Sequence, residues 1–520
     1  MTYSFNLTDQ PWIPGVYPDG RLELFSLRDI LTRAHEVRGI QGDSPLETAA
    51  LHRLLLAVLH SALRGPRKKT EWAELWQKGR WEPALVNGYL DKWKDRFDLF
   101  HPQRPFYQAC SMDTPRDKTV HDIVPDVASA NNATLFSHNV DSQITPLTPA
   151  KAAVALLVLQ TMSIAGGFGL APKESSDAPW GRGIIFLLEG DTLFETLLMN
   201  LMVYPDKGYN NLLSTPDDKP AWEQDDPYLP IRQVPTGYLD YLTWQNRRVR
   251  LMVEGSANVP FVQAIQMASG LKLDSTLIDP MKLHRPSQEE GRYISTRYSE
   301  DRALWRDSAS LFALKNEKGI RPPRNFYWLA DLAATVDGIA DYRKYRFMAL
   351  GMANDQAKVE FFQEDHLPLP LKYLEEPDLV EKLANALKYA EETRFALRIS
   401  CQWMAVLVIA PKFDGKKWQD VDRITKDQAD KLNTHWNTDR FYWQQLEIPF
   451  QQLLEDLPQK PDEAATDWQE TLRRAAWNAL EKAAEAAGMD APALKAAVKA
   501  REKLGYSLKE LFEPQKEATT

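Results

Sequence analysis

The sequence predicts an α+β protein, with a large mixed α/β N-terminal domain over residues 1–366 and a C-terminal antiparallel four-helix bundle over residues 367–520. Three observations predict it. Strand-like and helical apolar periods alternate along the first part without an internal repeat. The proline-marked stretch "LPLPLKY", starting at Leu367, then interrupts the pattern. Long amphipathic segments with short to moderate connections follow, as in a helix bundle.

The elements can be justified in order. "PWIPGVYPDGRLELFSLRDIL" sets a Pro18-Asp19-Gly20 turn between two apolar segments, a hairpin signature. "SPLETAALHRLLLAVLHSAL" reads as a helix. Ser44 and Glu47 form a capping-box pattern, and Leu51, Leu54, Leu55 and Val58 repeat at helical spacing. Residues 100–150 are loop-rich, and the polar, aperiodic "NNATLFSHNVDSQITPLTP" precedes a helix at 149–164. From residue 230 to 350 the pattern is mixed, with "GYLDYLTWQNRRVRLMVEG" the clearest strand. Beyond 366, Leu379, Leu383, Leu387 and Ala390 share one helix face, and further helical segments cover 427–457, 463–488 and 491–512.

Composition narrows the function classes. With 44% hydrophobic and 26% charged residues, the chain is that of a globular protein with proper cores. The longest apolar candidate, "AKAAVALLVLQTMSIAGG", is interrupted by polar and glycine residues and reads as a buried helix rather than a membrane span. The opening "MTYSFNLTDQPWIPG" lacks a basic, then apolar, leader pattern. Cys110 and Cys401 lie far apart without a CxxC, which argues against a disulfide framework and fits a reducing cytoplasm. The formal charge of −9 is unevenly spread. Residues 361–520 carry 22 Lys+Arg against 28 Asp+Glu, whereas 241–306 carry 10 against 7, so any nucleic-acid contact must be local.

Motifs for catalysis are missing from the pattern. "SIAGGFGLAPK" has three glycines and Lys173, but no hydroxyl residue directly follows the lysine, so it is not a Walker loop, and it lacks the dinucleotide spacing GxGxxG. The nine histidines are scattered, His121-Asp122 lacks the further ligands of a metal site, and no G-x-S-x-G elbow occurs. Arg247, Arg248 and Arg250 lie near Trp244 on the strand candidate, Arg248 and Arg250 on one face and Arg247 on the other. They suit either a solvated, ion-paired edge or a phosphate contact. In "RFMALGMANDQAKVEFFQEDH", the turn formers Gly351, Asn354 and Asp355 set Gln356 between apolar flanks. It is either an ordinary polar turn or an amide that inserts into a base stack.

Several stretches, in order, resemble the large subunit of the type I-E CRISPR surveillance complex Cascade, the CasA family. "FNLTDQPWIPG" is similar to that family's opening, and "FDLFHPQRPFYQ", "GYLDYLTWQNRRVRL" and "RALWRDSASLF" to later segments, so the resemblance spans nearly the whole chain. It implies a cytoplasmic, non-enzymatic subunit without metal, cofactor or membrane contact. Such a subunit reads the protospacer-adjacent motif in double-stranded DNA and destabilises the neighbouring duplex, which starts R-loop formation with the guide RNA. Its partners would be the other Cascade protein subunits, guide RNA, target DNA and the helicase–nuclease. Guide pairing carries sequence specificity in such systems, and protein reads the short motif.

The resemblance assigns a glycine loop to Gly166, Gly167, Phe168 and Gly169, running to Lys173, although Leu170-Ala171-Pro172 replaces the family's glycine run. It assigns a glutamine wedge to Asn354, Asp355 and Gln356. Where the family has a lysine finger for the minor groove, this chain has Glu289 and Glu290, leaving Lys282, Arg285 and Arg292 as substitutes. A mobile loop falls on Phe136, Ser137, His138 and Asn139. Two other readings stand beside this one: a helical docking scaffold that does not read DNA, and an enzyme of unrecognised type around His121-Asp122 or the glycine stretch.

Overall fold

Pro18-Asp19-Gly20 turns the chain between β1 (Ile13–Val16) and β2 (Leu22–Phe25), which pair antiparallel from Ile13–Phe25 to Val16–Leu22. Gly20 adopts φ 85°, the left-handed conformation this turn requires, and its N–H donates to the Tyr17 carbonyl. The computed structural model describes residues 3–113, 115–124, 145–166, 175–203, 217–299, 302–314, 319–339, 345–355, 358–413 and 417–513.

After the hairpin come α1 (Leu27–Thr32), β3 (Gly39–Ile40), α2 (Pro45–Leu63), α3 (Lys69–Lys78) and α4 (Pro83–Lys92). Next are β4 (Arg116–Thr119), α5 (Pro149–Met162), β5 (Ile185–Glu189), α6 (Leu193–Asn200), α7 (Tyr238–Leu242), β6 (Arg247–Ser256) and β7 (Val259–Ser269). β8 (His284–Ser287), β9 (Arg292–Ser295), α8 (Ser308–Phe312), α9 (Arg324–Ala333), β10 (Arg346–Asp355) and β11 (Lys358–Pro368) follow. Among the described residues four small sheets result, with orders β2-β1-β3, β11-β10-β5, β4-β7-β6 and β8-β9.

The chain divides into two compact units, Met1–Glu300 with Leu314–His366, and Asp301–Ala313 with Leu367–Thr520. In the first, α2 and α5 form the centre. Ser44 caps α2 by accepting the Glu47 N–H, and Glu47 reaches back to the Asp43 N–H rather than to that of Ser44. Leu51, Leu54, Leu55 and Val58 are all buried, each contributing about 1.5–3 kcal/mol. Pro45–Leu63 is long and apolar enough to cross a membrane, yet 89% of its most apolar stretch is buried inside the protein.

One expected strand is partly helix. In "GYLDYLTWQNRRVRLMVEG", residues 238–242 form α7 and the strand begins only at Arg247. The helix N-terminus is capped from a distance. The Asp218 carboxylate accepts the N–H groups of Leu239 and Asp240, both at 2.9 Å, a role the adjacent Gly237 has no side chain to fill.

The second unit adds α10 (Lys372–Glu375), α11 (Pro377–Ile409), α12 (Arg423–Trp436), α13 (Thr438–Gln444), α14 (Glu447–Asp456), α15 (Pro461–Ala487) and α16 (Ala491–Phe512). Leu379, Leu383, Leu387 and Ala390 are buried along α11. The helix expected over 427–457 is instead α12, α13 and α14, because Asn437 takes the left-handed conformation (φ 53°, ψ 36°) and ends α12. Asp301–Ala313, placed in the N-terminal domain by the sequence pattern, packs with this helical unit. Trp305 stacks on Phe450 at 4.5 Å and meets Trp468 edge-on, and Arg306 lies 3.9 Å above Trp443 while pairing with Glu391.

Candidate functional site

The glycine stretch leaves the C-terminus of α5, and the structure describes both of its stems. Gly167, Phe168, Gly169 and Lys173 lie outside the described residues. Gly166, with φ 78°, donates its N–H to Ser175 Oγ at 3.2 Å, and the Ala165 N–H donates to Asp177 Oδ1 at 2.8 Å. The Ala178 N–H closes onto the Ser163 carbonyl at 2.7 Å. Arg182 Nε in turn donates to Asp177 Oδ2 at 2.7 Å.

Arg247 clamps the two stems together. Its guanidinium donates to the Ile164 carbonyl on one side (2.9 Å) and to the Ser176 carbonyl on the other (3.1 Å). Its own backbone is held by Gln160 of α5 through two hydrogen bonds of 2.9 and 2.7 Å. The side chain is fully buried, and burial draws its pKa down to about 10, so it remains a cation at neutral pH. Arg247 is therefore unavailable to a phosphate. Arg248 and Arg250 occupy the opposite, half-buried face of β6, with Arg248 lying 4.4 Å above the Tyr228 ring.

The other two predicted elements join the same backbone ladder. The Ile184 N–H donates to the Thr296 carbonyl, the Phe186 N–H to that of Met281, and the Thr296 N–H to that of Leu283. On its other edge β5 pairs antiparallel with β10, from Glu189–Arg346 to Ile185–Leu350. Gly183 makes the crossing possible: it has φ 88°, and a Cβ there would lie 2.4 Å from Ser295 Oγ. β5, which follows the glycine stretch in the chain, thus joins the β8–β9 hairpin and the wedge hairpin β10–β11 in one hydrogen-bonded frame, and Lys282 ties that frame to the Pro179 and Arg182 carbonyls. Asn354 is half-buried near the end of β10 and Asp355 is its last residue, while Gln356 lies outside the described residues.

At the base of the wedge hairpin, His366 bridges two carboxylates, with Nδ1 2.8 Å from Glu189 Oε2 and Nε2 2.9 Å from Glu364 Oε1. Hydrogen bonds to Glu189 and then Glu364 raise the imidazole to about 9, which fixes the end of β11 to β5 as an ion pair.

The three groove-reading substitutes part ways. Lys282 is buried, its Nζ donating to the carbonyls of Pro179 (2.8 Å) and Arg182 (2.6 Å), and burial lowers it to about 8. Contrary to its expected role as a groove reader, it braces the chain beside the glycine stretch and turns its charge inward to backbone carbonyls. Arg285 sits half-buried on β8 opposite Ile294. Arg292 sits half-buried on β9, donates to the Ser275 carbonyl at 2.9 Å and pairs with Glu290 beside the acidic turn of this hairpin. Sequence reading missed Arg182 and Arg297. Arg297 is surface-exposed, yet partial desolvation and then the neighbouring Arg182 cation lower its pKa. Only the fold brings positions 182, 292 and 297 into one electrostatic cluster; no local spacing announces it.

The remaining candidates can be placed briefly. Phe136, Ser137, His138 and Asn139 lie outside the described residues. His121 is buried, its Nε2 accepting the Thr145 N–H at 3.0 Å. Asp122 accepts both the N–H and the hydroxyl of Thr119. Both polar groups are engaged in holding local backbone. Among the described residues no group of three or more His, Cys, Asp or Glu could hold a metal ion.

Fold and site together define a loop-presenting protein: one mixed unit gathers the stems of several loops on a shared ladder, and a second unit is helical. The chain belongs to the CRISPR-associated Cse1 (CasA) family, whose profile, described as CRISPR-associated protein Cse1, matches residues 6–479. It is 34% identical over 523 residues, 98% of each chain, to the CRISPR-associated protein CasA/Cse1 of Thermus thermophilus. The crystal structure of Thermus thermophilus CasA superposes with a TM-score of 0.81 at 31% identity, covering 97% of this chain and 99% of that one. A chain of a CRISPR RNA-guided surveillance complex, 23% identical, shares the fold with a TM-score of 0.75 over 97% of this chain and all of its own.

Proposed function

We propose that this chain is the large, non-enzymatic subunit of a cytoplasmic type I-E Cascade complex, working with the other Cascade proteins and a guide RNA. It reads the protospacer-adjacent motif in duplex DNA through the Gly166–Lys173 loop, with basic support from Arg285, Arg292, Arg182 and Arg297. The Asn354–Gln356 tip then separates the first base pair beside the motif. Unstacking costs a few kcal/mol, offset as guide pairing proceeds. The loop at 136–139 contacts guide or motif. The helical unit, read as a four-helix bundle, holds the displaced strand and helps recruit the helicase–nuclease.

The observation that carries this reading is the common ladder. The strand that follows the glycine stretch and the stems of two hairpins distant in sequence are joined by backbone hydrogen bonds through residues 184–186, 281–283, 296 and 346–350. A frame of this kind presents loop tips in fixed register to one object, and a duplex groove is such an object.

The test uses assembled complex, matched guide and duplexes that differ only in the flanking motif. Gln356→Ala should slow R-loop formation while leaving motif binding in place, and Gly169→Asp should weaken motif-dependent binding itself. If both variants open duplexes as fast as the parent, the chain is a docking scaffold and the DNA-reading assignment fails.

A further inference from the structure

Away from the ladder, the first unit contains a polar recess of about 610 Å³ between the C-terminal end of α2, the helix α4 and residues 218–223. Its rim carries four exposed cations: Arg64, Arg67, Lys92 and Lys219. None of the four forms a salt bridge with a described residue. Lys92 Nζ lies 5.0 Å from the centre of the Trp93 ring; the Arg67 guanidinium donates through Nε to the Arg64 carbonyl, and its backbone N–H donates to Glu71 Oε2, which leaves the terminal guanidinium nitrogens to a ligand.

The acidic groups in the wall are already committed. Asp218 accepts the two amide N–H groups that start α7. Glu223 accepts the Tyr89 hydroxyl at 2.7 Å, and that hydroxyl accepts the Trp222 indole N–H. The α2 C-terminus lies here too, and its dipole would repel an anion, so attraction rests on the side chains alone. Four cations outside any salt bridge with a described residue, beside two engaged carboxylates, form a site for multiple negative charge, and arginine forks suit phosphate oxygens. The volume is that of a small-molecule site.

We propose that this recess binds a ligand of nucleotide size through a terminal phosphate group that itself carries at least two negative charges. A free nucleotide and the phosphorylated end of a nucleic-acid strand offer the same chemistry. The site lies apart from the ladder, so it operates whether or not the DNA-reading assignment holds.

Isothermal titration of the full-length chain tests it, with ADP, adenosine, and a 5′-phosphorylated and a 5′-hydroxyl hexaribonucleotide as probes. ADP or the phosphorylated oligonucleotide should bind saturably, and adenosine and the hydroxyl oligonucleotide should not. Binding by ADP identifies a free nucleotide as a sufficient ligand; binding by the phosphorylated oligonucleotide alone identifies a strand end. Arg64→Ala/Arg67→Ala should weaken binding about tenfold or more, the scale of one lost charge-assisted hydrogen bond. Lys92→Glu, at an exposed helix position that keeps the fold, should do the same. The proposal is overturned if no phosphorylated probe binds at millimolar concentration, or if Lys92→Glu binds as the parent does.

Discussion

Replacing Arg247 with methionine removes the one guanidinium that ties the two stems of the glycine loop, while nearly preserving side-chain length. The Ile164, Ser176 and Asn246 carbonyls would each lose a charged donor. Such bonds contribute about 1.5–3 kcal/mol apiece. Part of that gain is already offset, because burial draws the guanidinium down to about 10, equivalent to on the order of 3 kcal/mol. The difference leaves a net loss of about 3 kcal/mol, or roughly a hundredfold in the local opening equilibrium. Native-state hydrogen exchange reads this directly at the amides of Ala165, Gly166 and Ala178, which close the stem. Amides within α15 serve as the internal control. Arg247→Lys should restore only part of the protection, since one ammonium on a flexible stem does not reproduce a planar fork between two carbonyls. If the three stem amides exchange within twofold of the parent rate in Arg247→Met, the clamp is not what holds the loop base, and the Asp177 and Ser175 contacts suffice.

Three further outcomes follow from the same geometry. His366 is raised to about 9 in the fold from an ordinary 6.5, so its ion pairs stabilise fully below pH 6.5, and the benefit is lost as pH rises through about 9; the fall in denaturation midpoint from pH 7 to 10 should be smaller in His366→Gln than in the parent. Lys282→Met should leave the salt slope of motif-dependent DNA binding unchanged, since its charge meets only internal carbonyls, whereas Arg297→Ala should weaken binding and reduce that slope by about one, a contrast measurable by titration at several salt concentrations. Trp305→Ala empties the space against Phe450 and Trp468 and should destabilise the helical unit by about 3–5 kcal/mol, seen as early loss of its transition in a denaturant melt.

Much of the fold was legible where local chemistry decides. The Pro18-Asp19-Gly20 hairpin and the Ser44-capped helix are written in adjacent residues, and both form. The sequence failed where a distant residue decides. Asp218 caps α7 from about twenty positions upstream, which turns an apparent strand into helix. Trp305 carries residues 301–313 into the helical unit because its ring finds Phe450 there, a pairing no periodicity encodes. Charges behaved likewise. Arg247 and Lys282 look in sequence like phosphate-seeking cations, but both point inward to backbone carbonyls, whereas Arg182 and Arg297 stand alone in sequence and cluster only in space.

That inversion has a consequence for how such a protein can change its preferences. The buried cations are spent on stems: Arg247 joins residues 164 and 176, and Lys282 holds residues 179 and 182. Removing either perturbs the frame before it perturbs recognition. The exposed groups, Arg297 and the acidic turn at Glu289-Glu290, stand where substitution leaves the ladder hydrogen bonds intact. Surface changes of that kind alter stability by little, while a charge gained or lost beside a groove alters binding across all sequences and, in the minor groove, the balance between A·T and G·C. Charge reversal at Glu289-Glu290 to lysine should therefore tighten duplex binding and broaden the range of motifs accepted, without moving the denaturation midpoint. A shift in that midpoint of the size expected for Arg247→Met would mean that the turn belongs to the frame, and the separation between frame and reading surface would be wrong.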